Sequence, residues 1–293
     1  MRIIWGITWK EMLRKKVLLL TLLMTAVFLI GFWFLAGAIG DQGGQQGLGD
    51  SGEALINRFA NGAVIMALGF MFGSFVLAFL AIFTSFSAIA GEAEAGVLQA
   101  LLARPLPRWK WYVGRWLGYV TVGIAYALLL FVSILSITRT HAAIPLDPAA
   151  WIKSFLLFSL AVPLLVTVSM LGSGLFSAIG NGVFMTMLYG ASWLGGMIER
   201  IGSGISRDPA VTDSLNRLTG IISLIMPADG LQRKVIAELF SFEELSGMVP
   251  IDMSSPGFNN LSSVPSNSFV VYAIVYMAAA FIIGMLRFKS KDL

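Results

Sequence analysis

The chain has 293 residues; 57% are hydrophobic, 12% are charged, and the mean hydropathy is +0.82. Soluble domains carry roughly 25% charged residues, so a soluble globular fold is excluded and an all-α integral membrane protein is predicted. The absence of cysteine removes disulfides, thiolate metal sites and cysteine nucleophiles, and a single histidine, His141, argues against a histidine metal site or a buried hydrolytic triad.

Residues 1–16 place Arg2, Lys10, Arg14, Lys15 and Lys16 beside Ile3, Ile4, Ile7, Met12 and Leu13, with Trp5 and Trp9 among them. The apolar set falls mostly on one side of a helix, which predicts an amphipathic helix lying in the membrane surface and turning into the first span. A signal peptide ending at Ala36-Gly37-Ala38 is the competing reading. The apolar run from Val17 to Ala36 is longer than the roughly 7–15 residues of a signal core, so a retained anchor is expected.

Six spans are predicted, at about 17–39, 62–90, 116–138, 155–176, 183–198 and 268–286. The stretch 155–198 carries no charge and is long enough for two spans, with Gly180-Asn181-Gly182 as the tight turn between them. Segment 199–267 holds two helix-compatible stretches, 215–225 and 230–245, separated by Met226-Pro227-Ala228-Asp229, with Asp229 placed to cap the second. They read as short helices on the outer leaflet or as a small cap. The whole chain, 1–293, is taken as one transmembrane domain.

Orientation follows from basic residues near the spans. With both termini inside, the inner segments carry 12 Lys and Arg against 4 acidic residues, and the outer ones 8 against 12. That split agrees with an even number of spans.

Gly47-Leu48-Gly49-Asp50-Ser51-Gly52 matches a dinucleotide-binding pattern, but it follows a membrane span and Phe72 stands where a ribose-binding acid belongs, so it reads as a loop. No phosphate-binding loop of the G-x-x-x-x-G-K-[ST] type occurs, so ATP-driven work would need the ATPase on another polypeptide. The span interiors lack ionisable residues, which argues against an ion-coupled carrier or a charged pore. The 14 methionines read as gap-filling or lipid-facing rather than as metal ligands. Gly69 with Gly73, and Gly114 with Gly118, have the spacing that lets helices approach closely, within the subunit in the favoured reading and at a dimer seam in the other. His141 is expected in a solvated loop. No catalytic, cofactor-binding or metal-binding residue is predicted, and no nucleic-acid partner.

The most charged island inside the apolar chain is 88–118. Glu92 and Glu94 open it, Val97, Leu98, Leu101 and Leu102 recur at one-face spacing, and Arg104-Pro105 closes the helical part. Trp109, Lys110, Trp111, Arg115 and Trp116 then mix cations with amphipathic rings, as anchors at a membrane–water interface do. Two readings stand side by side. In one, the acids favour a helix N-terminus, worth about 0.3–1 kcal/mol each, in a solvated loop. In the other, a short helix with an apolar and an acidic face docks in a partner's groove.

This island resembles the first cytoplasmic loop of ABC-2 type ABC-transporter permeases, through Gly91-Glu92, Glu94, Gly96, Val97-Leu98, Leu101-Leu102, Arg104-Pro105, Arg108 and Gly114-Arg115. The likeness extends to the basic N-terminal helix, the six spans and the basic tail. Pro227-Ala228-Asp229 followed by Arg233 is also similar to the permeases of nitrous-oxide-reductase maturation systems. The chain departs from the pattern at Gln99-Ala100, where many members have a further acid.

The resemblance implies six transmembrane helices with an N-terminal interfacial helix, a cytoplasmic coupling helix at 92–104 and a helical outer segment. It implies a permease in the cell membrane, dimeric with itself or a similar chain, that binds two cytoplasmic ABC ATPase subunits. Glu92, Glu94, Val97, Leu98, Leu101, Leu102 and Arg104 would form the docking helix, ATP and Mg would sit on the ATPase, and a hydrophobic or amphipathic substrate would be moved or exported. The alternatives are a scaffold relaying ATPase motion to an outer-side protein through 199–267, and an ATP-independent channel or carrier.

Overall fold

Backbone N–H and C=O groups in hydrocarbon must be satisfied within the protein, and helices do this along a single segment. The computed structural model describes residues 2–14, 16–45, 52–96, 107–142, 147–205, 209–239 and 265–290. These form helices α1 (Arg2–Arg14), α2 (Lys16–Gln45), α3 (Gly52–Ser85), α4 (Ala90–Glu94), α5 (Arg108–His141), α6 (Pro148–Ser173), α7 (Ala178–Ile205), α8 (Pro209–Ile225), α9 (Ala228–Leu239) and α10 (Asn267–Ser290), with no strand among the described residues.

Among the described residues, five stretches are long and apolar enough to cross a membrane: Lys16–Gly40, Asn61–Glu94, Arg108–His141, Pro148–Ser173 and Asn267–Ser290. The predicted fifth span lies in α7, which is 28 residues long but is not among the five, its apolar content being diluted by glycine, serine, asparagine and tyrosine. α6 is the centre of the bundle. Its apolar window is 67% buried against 17% for α2 and for α10, and it packs on α3, α5, α9 and α10. Its start is defined by Asp147, whose carboxylate accepts from Ala149 N at 3.0 Å and Ala150 N at 3.2 Å, with Pro148 in the first turn where no N–H is missed.

Both glycine pairs serve close approach inside the chain. A Cβ at Gly69 or Gly73 would run into Ile134 of α5, and one at Gly114 or Gly118 into Ile4 or Thr8 of α1. α1 therefore lies directly on the first turns of α5.

Three expectations are corrected. The turn between α6 and α7 falls at 174–177, one turn earlier than Gly180-Asn181-Gly182. Asn181 is inside α7 and fully buried; its amide donates to Phe86 O at 2.7 Å and Ser169 O at 2.9 Å, so it ties α7 to the ends of α3 and α6. His141 is not in a solvated loop. It ends α5, lies edge-on to Trp33 at 4.6 Å, and its backbone presses on α2 where Gly40 leaves room.

The largest correction concerns α9, which does not lie flat on the outside, whereas α8 keeps Leu218, Ile221, Leu224 and Ile225 exposed. Ser192 of α7 donates to Met226 O at 2.9 Å, and Ser154 of α6 donates to Val235 O at 3.3 Å. Ala228 and Gln232 line one small cavity with Leu157, Ala161 and Leu165 of α6, Ser74 of α3 and Tyr189 of α7. The turn at Met226-Pro227 is thus level with the middle of α6 and of α3, and α9 climbs back along α6 to a Lys153–Glu238 ion pair at 3.3 Å. The strong amphipathicity that suggests a surface helix has another use here. Asp229 pairs with Arg233 one turn on, at 2.7 Å, with both side chains buried, so these two charges offset each other on their own helix as it enters the bundle.

Candidate functional site

The island 88–118 meets the N-terminal helix at one end of the bundle. α3 stops at Ser85, the chain turns through 86–89, and α4 begins with unpaired N–H groups, as every helix does. Ser173, the last residue of α6, fills that need: its hydroxyl accepts from Ile89 N and Ala90 N, each at 3.0 Å. Glu94 in turn accepts from Ala178 N at 3.0 Å and so caps α7, alongside Ser177, whose hydroxyl accepts from Gly180 N. Five residues of helix are in this way fastened to two long ones.

The third attachment is ionic. Arg115, on the second turn of α5, is buried and pairs with Glu92 of α4 and with Glu11 of α1. Its guanidinium also stands 5.6 Å from the Trp111 ring. One cation therefore joins α4 and α5 to α1, which lies far from both in sequence. α1 is held further by the indoles of Trp5 and Trp9, which both donate to Thr121 Oγ1, at 3.0 and 2.8 Å.

The predicted interface anchors divide in two. Trp109 and Lys110 are exposed and lie 5.6 Å apart as a cation–π pair. Trp111 and Arg115 are buried, contrary to the anchor reading. Trp111 stacks on Phe288 of α10 at 5.0 Å, and Arg115 turns inward to its two carboxylates. Trp116 is half-buried and donates to Thr167 Oγ1 at 2.8 Å.

The acids also differ from expectation in what they touch: both Glu92 and Glu94 are engaged within the chain. The helix that carries them ends at once, because Gly96 takes a left-handed φ of +69°, so Glu92 does not begin one continuous helix through 104. Val97, Leu98, Leu101, Leu102 and Arg104, with Gln99-Ala100, lie outside the described residues. Sequence reasoning missed Glu11, Ser173 and Asn181. Glu11 alone carried a signal, as the single acid in a basic helix. Among the described residues, no group of three or more His, Asp or Glu could hold a metal ion.

α4 is thus bonded to α5 through Glu92, to α6 through Ser173 and to α7 through Glu94.

The family model described as ABC-2 family transporter protein matches residues 3–293. The chain belongs to this family. It is also similar to the probable ABC transporter permease protein NosY of Pseudomonas aeruginosa, with 30% identity over 134 residues, which is 44% of this chain and 43% of that one. The match thus spans less than half the length of that relative. Family and apolar helices together make this ABC-2 protein a multi-pass membrane protein.

Proposed function

We propose that this chain is the membrane subunit of an ATP-driven transporter. It would cross the cell membrane six times, with α7 as the fifth span and both termini cytoplasmic, and act as one half of a homodimer or of a pair with a similar permease. A separate ABC ATPase, carrying ATP and Mg, docks on the segment that follows Gly96, through Leu98, Leu101 and Leu102. ATP binding moves that segment, α4 moves with it, and the helices tied to α4 tilt to move or export a hydrophobic or amphipathic substrate. Support comes from the family membership, from the printed name of the relative, and from the absence of a phosphate loop in this chain.

The observation that carries the reading is the bridging of Glu92 and Glu11 by Arg115, because it ties the residue that opens the predicted docking segment to two helices of the bundle. The test is co-expression with the cognate ABC ATPase. Leu101→Asp with Leu102→Asp removes the apolar docking face, and co-purification should fall by at least tenfold while the permease itself remains folded; truncating a central apolar anchor costs about 2 kcal/mol or more. Intact co-purification and transport in that variant would overturn the docking assignment.

A further inference from the structure

The surface of α1 that faces away from α5 carries a pattern that the mechanical reading does not use. Ile4, Thr8 and Met12 face the protein, and Glu11 reaches Arg115. Ile3, Ile7, Lys10 and Arg14, with Leu13 beside them, lie on the outward side. Ile3, Ile7 and Leu13 are 78%, 53% and 60% exposed, an arrangement that water does not favour on a folded helix. Lys10 and Arg14 are exposed on one face, four residues apart, and make no ion pair or hydrogen bond with the rest of the protein among the described residues. Together with Ile7 and Glu11 they line a groove of about 400 Å³. Glu11 lines the same groove but is bonded to Arg115, and the two cations outnumber it there.

Depth completes the case. α1 crosses α5 at Gly114–Thr121, and the apolar stretch of α2 begins at Lys16, so α1 sits where the bundle enters hydrocarbon. At that level the apolar side chains meet acyl chains and the two cations meet phosphates.

We propose that the outward face of α1 is a binding site for an anionic phospholipid, whose phosphate is held between Lys10 and Arg14 while its acyl chains cover Ile3, Ile7 and Leu13. The bound lipid restrains α1 and, through Glu11, the Arg115 junction, so that the anionic lipid content of the membrane sets how firmly α4 is held. The binding site stands on the geometry of α1; the effect on ATPase coupling rests on the function proposed above.

The full-length chain, purified in detergent and delipidated, is titrated with phosphatidylglycerol or phosphatidylcholine, and bound lipid is counted by native mass spectrometry. The wild type should prefer phosphatidylglycerol, and K10Q/R14Q should reduce that preference roughly 30-fold, as expected for two cations at a membrane surface. K10R/R14K keeps both charges and should keep the preference, which separates loss of the site from misfolding. The site is overturned if K10Q/R14Q retains the preference, if K110Q/R287Q abolishes it equally, or if glycerol phosphate displaces the lipid at equal concentration. ATPase activity of the assembled complex is read in parallel. A preference that disappears in K10Q/R14Q, with a wild-type ATPase rate indifferent to phosphatidylglycerol, keeps the site and overturns its link to coupling.

Discussion

Arg115 and Arg233 are both buried guanidiniums in an apolar bundle, and they are held in opposite ways. Arg115 draws its carboxylates from two other helices, one of them 104 residues away in sequence. Arg233 draws its carboxylate from Asp229, four residues earlier on its own helix. Burying a charge without a partner is costly, so both sites are satisfied, but the two solutions constrain different things. The Asp229–Arg233 pair forms as soon as α9 forms, and it lets the least apolar long element of the interior enter between α6 and α7. The Arg115 junction exists only when α1, α4 and α5 are in place, so it reports and enforces their relative positions. The first kind of pair permits insertion; the second kind fixes the relative positions of three helices.

The contrast can be broken most directly at Arg115. Arg115→Met removes the buried cation that the partly buried Glu92 and Glu11 share, and a loss of about 3 kcal/mol is expected in denaturant unfolding in detergent. Glu11→Gln or Glu92→Gln should each cost less, since one carboxylate then still meets the cation. If Arg115→Met unfolds within about 1 kcal/mol of wild type, the junction does not hold the helices together.

At the local pair, Asp229→Leu should destabilise by removing the carboxylate that Arg233 bonds, and Asp229→Leu with Arg233→Met should recover part of that loss. The non-additivity expected in a double-mutant cycle is about 0.5–3 kcal/mol. Additive costs would mean that the two charges are held by other groups and not by each other. The smallest effect is expected at Thr121, whose hydroxyl receives both indoles of α1. Thr121→Val should cost about 1 kcal/mol. A loss as large as that of Arg115→Met would move the anchorage of α1 from the ionic junction to the tryptophan contacts.

The membrane class, the helical character of every described segment and the approximate place of each long helix were legible in the order of residues, because hydropathy and its interruption by polar clusters are properties of a one-dimensional string. The amphipathic N-terminal helix was legible for the same reason. Partners were not. Glu92 looked like the edge of a docking surface because nothing in 88–118 shows that Arg115 folds back onto it with Glu11 as a second acid. Asn181 between two glycines has the composition of a turn, yet it is buried with its amide spent on two carbonyls that only packing brings together. The segment 228–239 has the amphipathicity of a surface helix, and its burial depends on how deep a concave site α3, α6 and α7 leave for it. Local sequence sets which segments are apolar and where helices start, since those depend on neighbours along the chain. Which charges become junctions depends on distances across the bundle, and these arise only when the helices have closed on one another.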